Sequence, residues 1–247
     1  MTALSAWLWW AGLGCAPEAL PPAGTPAADT EPEPEVPRGA LSFRFPLVER
    51  ELFIQVTGVD HDPEVHEWGP ESLLCTNYLG EGFPGCYDEH DGSDFLLDGG
   101  FDQMDNGSAT IVAAYDGVVV DTEDGHYDRC HGTLDGVDCD GYPKEANYVI
   151  VEHEGGFRTR YWHMKTDSVA VAVGDDVVCG DALGIVGSSG NSSMPHLHFE
   201  VEDADGIVFD PYAGPWSQAE TWWVEQGDPD SMPGSDCADD LQAPTGS

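Results

Sequence analysis

Hydrophobic positions along the chain fall in short runs that alternate with polar ones, a period of two rather than of 3.6. The clearest run is Met194-Pro-His-Leu-His-Phe-Glu-Val201, where Leu197, Phe199 and Val201 alternate with His196, His198 and Glu200. It predicts a strand with one apolar face and both imidazoles on the other. Asn147–His153 and Phe157–His163 flank a Glu-Gly-Gly turn, which predicts a hairpin with Thr159, Tyr161 and His163 on one face and His163 at its end. Phe43-Arg-Phe-Pro-Leu47 and Leu52-Phe-Ile-Gln-Val56 read as further short strands, with another at Ile111. Thirty glycines and eighteen prolines, placed between these runs, favour strands and turns over long helices. No internal repeat is present.

The first residues break the pattern. Ala3–Gly14 is apolar but shorter than the ~20 residues that span a bilayer, and it fits the central region of a secretory signal ending at Cys15. Small residues before Cys15 resemble a lipoprotein cleavage box, so a lipid anchor through Cys15 is expected, although Gly12 stands where such boxes carry Leu and no basic residue precedes Arg38. Residues 16–40 hold seven of the eighteen prolines and almost no large apolar side chain, which predicts a disordered tether.

Eight Lys and Arg against 47 Asp and Glu give a formal charge of −39 and a pI near 4.1. Nucleic-acid binding needs basic side chains that displace counterions, so this balance argues against nucleic acid and against anionic lipid surfaces. With 40% hydrophobic and 10% aromatic residues the chain can build a core. Seven cysteines leave six once Cys15 takes lipid, and an oxidising compartment can pair them all. Fifteen pairings are possible for six thiols. Chain proximity favours Cys75–Cys86 and Cys130–Cys139, leaving Cys179 for Cys237. No pair has the two-residue spacing of a structural zinc site.

Three groups of residues carry candidate chemistry. His196 and His198 share a strand face with Cα atoms roughly 6.6 Å apart, within reach of one metal and the water beside it. In Glu89-His-Asp-Gly-Ser-Asp-Phe95, His90 and Asp94 can converge on one cation if Gly92 lets the chain turn. Singly, each is an ordinary polar turn or surface pair. Together His90, Asp94 and His198 offer two nitrogens and a carboxylate with a fourth tetrahedral position open, the donor set of a catalytic zinc.

These motifs and their order resemble the lysostaphin- and LytM-like zinc endopeptidases, which cut peptide bridges of bacterial cell walls. His90 and Asp94 match the family's His-x-x-x-Asp, Tyr161 and His163 its Tyr-x-His, and His196 and His198 its His-x-His. Val171-Ala-Val-Gly-Asp-Asp-Val-Val-Cys-Gly180 and Gly187-Ser-Ser-Gly190 match the glycine framework between them, and Ala113–Val118 looks like its second core strand. The resemblance covers roughly residues 86–212. It implies that His90, Asp94 and His198 hold one zinc ion while His163 and His196 are catalytic. One of the two would assist deprotonation of water and the other stabilise the oxyanion, in either order. The chain has no His-Glu-x-x-His helix, so imidazole must carry the proton.

The expected fold is all-β, mostly antiparallel, a two-layer sandwich or open barrel-like sheet with long loops. The expected organisation is a signal segment at 1–15, a linker at 16–40, an N-terminal β extension at 41–85, a zinc endopeptidase core at 86–215 and a tail at 216–247. A monomeric, exported envelope or extracellular protein acting on peptidoglycan peptide follows from the resemblance. The alternative is a non-catalytic envelope protein of the same fold that binds the wall or activates a partner amidase. The Val/Gly spacing of 171–190 also resembles a lipoyl or biotinyl carrier, but Lys144 and Lys165 sit in no exposed hairpin of the kind a carrier modifies. The chain departs from the family in a longer segment at 97–107, in an insertion from Glu123 to about Glu145, and in Met194 where members often have Gly. Asp135–Gly141 lacks the bidentate Glu of a calcium loop and reads as a solvated acidic turn. His61 and His66 fall outside the motifs, as surface residues or as covers of the groove, and Trp222-Trp223 reads as a packing patch.

Overall fold

Alternation along the chain does produce strands, and their order places one of them, His196–Glu202, at the centre of the molecule. The computed structural model describes residues 41–66, 69–107, 109–228 and 232–238. Cys15, the signal segment and the proline-rich linker lie outside the described residues. In chain order the elements are β1 (Phe53–Thr57), β2 (Ser93–Leu97), α1 (Gly100–Asn106), β3 (Thr110–Val112), β4 (Gly117–Glu123), β5 (His131–Thr133) and β6 (Gly136–Asp138). They continue with β7 (Tyr148–Glu152), β8 (Arg158–Trp162), β9 (Asp176–Val177), β10 (Ala182–Ile185) and β11 (His196–Glu202). Seven of these form one antiparallel sheet in the order β1-β2-β11-β8-β7-β4-β9, and β10-β3 and β5-β6 form two ribbons. The all-β, mostly antiparallel expectation holds.

One face of the sheet is apolar. Phe95 faces Leu197 across β2 and β11, and Tyr161 faces Phe199 across β8 and β11, all without solvent exposure. Phe43, Phe45 and Trp223 close over them in a cluster of edge-on ring contacts, Phe45 to Phe95 at 4.9 Å between centroids and Phe43 to Phe199 at 6.0 Å. Each such ring contributes on the order of 1.5–3 kcal/mol by leaving water. Trp223 is therefore core, and Trp222 stacks on Phe209 at 5.4 Å, as a packing patch should.

Three segments differ from the sequence-based expectation. Phe43–Leu47 is a strap rather than a strand. Pro46 has no N–H for a ladder, and successive amides turn to different partners: Phe43 to the Trp222 carbonyl, Arg44 to Ala114, Phe45 to Gly234. Ala113–Val118 is likewise mostly a turn, because β4 starts only at Gly117. The segment after Leu97 contains α1, which has weak propensity of its own and is bounded by left-handed Gly99 and Gly107 while Met104 is buried. All three expected disulfides are formed, Cys75–Cys86, Cys130–Cys139 and Cys179–Cys237. The second clasps the β5-β6 hairpin inside the insertion.

Candidate metal centre and groove

The other face of the central strands is polar yet buried, and the site is built on it. Register sets Asp94 of β2 directly opposite His198 of β11, and Trp162 of β8 opposite His198 on its far side. His90 reaches the same point from the turn before β2, where Glu89 takes a left-handed backbone. The three donor atoms converge: His90 Nε2 lies 3.2 Å from His198 Nδ1 and 3.2 Å from Asp94 Oδ1, and His198 Nδ1 lies 2.9 Å from Asp94 Oδ1. Ligand atoms held tetrahedrally at zinc distances stand ~3.3 Å apart, so this donor set fits a zinc ion.

The open side of this trio is lined by the other two predicted imidazoles. His196 Nε2 lies 3.4 Å from Asp94 Oδ1, and the His163 ring sits 4.6 Å from that of His196 and 5.9 Å from that of His198. His163 does not share the Thr159–Tyr161 face as strand parity predicts. Those two side chains point into the core, where the Tyr161 hydroxyl accepts the Ala114 N–H at 2.8 Å. His163 follows the last residue of β8 with φ +66°, and this turn of the backbone brings its ring round to the histidines.

Backbone carbonyls fix the tautomers. His90 Nδ1–H donates to Gly58 O at 2.7 Å, His163 Nδ1–H to Ser189 O at 2.7 Å and His196 Nδ1–H to Met194 O at 2.7 Å. Each ring, when neutral, therefore aims the lone pair of Nε2 at the site, the role that outer hydrogen bonds play around metal ligands. Ser189 and Ser192 belong to the turn after β10, and left-handed Gly190 lets that turn lie against Ala146, which a Cβ there would meet at 2.8 Å. Ser192 steadies the Met194 carbonyl with a 2.8 Å bond.

Electrostatics favour a cation at the same point. Burial opposes charge on Asp94, but the neighbouring imidazoles of His90, His196 and His198 hold its carboxyl well below the usual range. Burial likewise opposes charge on His198, yet Asp91 and Asp94 outweigh it and raise the imidazole. Two carboxylates thus draw positive charge to His198. Burial, together with neighbouring His196 and His198, keeps His163 neutral, with its pKa well below the ordinary value. Burial and the nearby Asp91 push Glu200 up to about 7.

Sequence reasoning did not single out Tyr87 or Asp91. Tyr87 stacks on His90 at 4.2 Å, burial and the nearby Asp94 and Asp91 push its phenol up, and Asp91 Oδ1 lies 3.4 Å from His198 Nε2. Asp91 sits inside the His90–Asp94 motif, which was its only signal. His61 is not in the site, since its Nε2 bonds buried Asp210 at 2.9 Å. His66 lines the groove's outer part.

Two cavities meet over the centre. One, ≈570 Å³, is bordered by Asp91, Trp162, His163 and His198. The other, ≈690 Å³, is bordered by Leu73, Phe83, Asp94, Val137 and His196. Tyr87, Lys144 and Asn191 line both. The β5-β6 hairpin of the insertion forms one wall of the second cavity.

Residues 90–211 match the model of peptidase family M23. This chain carries an M23 peptidase domain. The five residues expected at the site, His90, Asp94, His163, His196 and His198, lie in the matched segment, and M23 peptidases are zinc-dependent. Peptidoglycan DD-endopeptidase ShyA of Vibrio cholerae is 30% identical over 112 residues, 45% of this chain and 20% of that protein. Peptidoglycan DD-endopeptidase ShyB of the same organism is 38% identical over 60 residues, 24% of this chain and 14% of that protein. The M23 chain thus spans about a fifth or less of the length of these relatives. A zinc-containing peptidase from Vibrio cholerae superposes with TM-score 0.45 at 23% identity, over 73% of this chain and 40% of that one.

Proposed function

We propose that this M23 peptidase is a zinc-dependent endopeptidase that hydrolyses peptide cross-links of bacterial peptidoglycan. His90, Asp94 and His198 are its metal ligands, and His163 and His196 are its catalytic residues. The observation that carries the reading is the convergence of three donor atoms within 3.2 Å of one another, beside two imidazoles locked as Nε2 proton acceptors. Zinc held there supplies Lewis acidity towards the scissile carbonyl and makes a neighbouring water more acidic.

The chain's own residues do the rest. A neutral imidazole whose Nδ1–H is committed to a carbonyl takes a proton at Nε2 and, once charged, hands it to the departing amine. The second imidazole, on the same side, donates to developing negative charge on the carbonyl oxygen once it is protonated. The cavities that meet at the histidines suit an extended peptide rather than a terminal residue. The three disulfides suit an oxidising compartment, so the protein acts in the envelope or outside the cell as a monomer, with Cys15 as a lipid attachment point. The division into a leader (1–15), linker (16–40), β extension (41–85), core (86–215) and tail (216–247) accompanies this reading. The complete donor set also weighs against a purely structural activator of an amidase.

The test is to load the purified chain with zinc, measure bound metal, incubate it with intact sacculi and identify released fragments by mass spectrometry. Wild type is expected to bind one zinc and to release newly cut cross-link peptides, while His198→Ala and His163→Ala release none. Full activity in both variants, or no cleavage by a stoichiometrically zinc-loaded wild type, overturns the assignment.

A further inference from the structure

Charge is so one-sided in this chain that its few cations are informative. The described Arg and Lys side chains are almost all engaged. Arg129 pairs with Asp105 at 2.6 Å, Arg158 with Glu152 at 2.9 Å and Arg160 with both oxygens of Glu202 at 2.8 and 2.9 Å. Arg44 and Arg50 bond backbone carbonyls, and the Lys165 ammonium donates to the Met104 carbonyl at 3.0 Å. Among the described Lys and Arg residues only Lys144 has no hydrogen bond, ion pair or ring contact, in a chain with 47 acidic residues. It stands at the junction of the two cavities over the metal centre.

Its place is built rather than incidental. The Cys130–Cys139 bridge holds one end of its loop, and the Tyr142 ring stacks on Tyr127 at 4.4 Å with only 8° between planes. The Tyr142 amide donates to Cys139 O at 3.0 Å. At the other end Ala146 lies against Gly190, and the Asn147 amide donates to the Ser189 hydroxyl at 2.9 Å. The turn that orients His163 thereby also anchors the loop that carries Lys144. Around the groove the remaining charges are acidic: Asp88, Glu89, Asp91, Asp135 and Glu200, while Arg160 is already neutralised by Glu202. Apart from the metal centre itself, Lys144 is the one Lys or Arg among the described groove residues whose charge is not already paired, and so the one side chain there left to attract a carboxylate.

We propose that Lys144 is a specificity-determining residue that binds a free carboxylate of the peptide substrate next to the scissile bond. The proposal rests on the endopeptidase reading for the identity of that substrate. An ammonium group pairing with a carboxylate in a partly enclosed groove strengthens ground-state and transition-state binding alike, so its loss appears in KM rather than kcat.

The probes are disaccharide-peptide dimers purified from digested sacculi, used either with free carboxylates or after carbodiimide coupling to ammonia, which amidates them. Full-length zinc-loaded wild type, Lys144→Ala, Lys144→Glu and Lys144→Arg are compared by cleavage kinetics and by calorimetric binding. Wild type is expected to show a KM about tenfold lower for the free-carboxylate dimers, as charge-assisted hydrogen bonds support. Lys144→Ala raises that KM about tenfold, leaves kcat within about twofold and leaves the amidated dimers unaffected; Lys144→Glu raises it further and Lys144→Arg restores it. A structural role for Lys144 would change both dimer pools equally, and that result, or an unchanged KM in Lys144→Ala, overturns the proposal. If wild type cleaves neither pool but still binds free-carboxylate dimers through Lys144, the subsite stands and the endopeptidase reading falls. If it neither cleaves nor binds them, both fall.

Discussion

Gly92 lies between His90 and Asp94, and replacing it with alanine tests how tightly the proposed metal centre is built. Its φ is not left-handed, so the position does not need glycine for a turn. What it needs is space. A Cβ there would stand 2.6 Å from His198 Cε1, 2.7 Å from His198 Nε2 and 2.8 Å from the Phe199 carbonyl oxygen. Ordinary contact begins near 3.4 Å, so the imidazole must retreat by about 0.8 Å, and the backbone oxygen of central strand β11 can yield little. That retreat moves His198 Nδ1 out of its 2.9 Å relation to Asp94. Misplacing a ligand on this scale should weaken zinc binding by about 10–100-fold and slow turnover by about 10²-fold, with an overpacking cost of about 1–3 kcal/mol. Zinc affinity is read by competition with a chromogenic chelator, stability by thermal unfolding, and turnover on sacculi. Gly117→Ala is the control: its Cβ would meet the Glu152 carbonyl oxygen at 2.5 Å, equally crowded, but β4 lies three strands from β11. It should lose stability and keep zinc affinity. Zinc affinity and turnover within threefold of wild type in Gly92→Ala would refute the argument that this glycine exists to seat His198.

Two more outcomes follow from parts of the molecule away from the groove. His153 is buried beside Phe43 and Tyr115, with Nδ1–H on the Asp116 carbonyl at 2.8 Å and the Thr159 hydroxyl at Nε2; burial lowers its pKa despite the opposing pull of Asp116 and Glu152. A depressed imidazole stabilises the fold above its unfolded pKa of ~6.5 and loses that contribution as pH falls below it, by up to ~1.36 kcal/mol per pH unit, so urea unfolding from pH 7.5 to 5 should fall more steeply in wild type than in His153→Asn. Cys179–Cys237 closes a sequence separation of 58 against 9 for Cys130–Cys139, so replacing the first pair by serine should cost about 1–2 kcal/mol more in denaturant unfolding than replacing the second, and equal costs would show that chain entropy is not its main contribution.

How much of this could be read in the sequence depends on what each residue has to do. Period-two alternation in β11 placed His196 and His198 on one face because a central strand with one apolar side admits no other register. The short disulfide loops were legible from separation alone, and Cys179–Cys237 by elimination. Where the chain changes direction, alternation loses its meaning. Parity assigns His163 to the core with Tyr161, and only the left-handed residue at the end of β8 reverses it, so the histidine was legible through the family motif and not through period. Phe43–Leu47 has the composition of a strand, but Pro46 and divided backbone partners make it a strap. The contact of Tyr87 with His90 arises from loop folding across no regular element, and nothing in its neighbours announces it.

The least legible component is the one that makes the site chemical. Three imidazoles are aimed by the carbonyls of Gly58, Ser189 and Met194, and every residue carries a carbonyl. The side chains at those positions are therefore free of the role that their backbones perform. This has a consequence for Met194, which stands where the family often has glycine: its side chain is 45% exposed while its carbonyl holds His196, so side chain and backbone are separable at one residue. A change of side chain there leaves the tautomer of His196 in place. Displacing the turn at Ser189 moves His163 and, through Asn147, the loop bearing Lys144 together. The proton transfer and the carboxylate recognition, both proposed, are thus mechanically joined at Ser189 and Gly190, on the turn between β10 and β11.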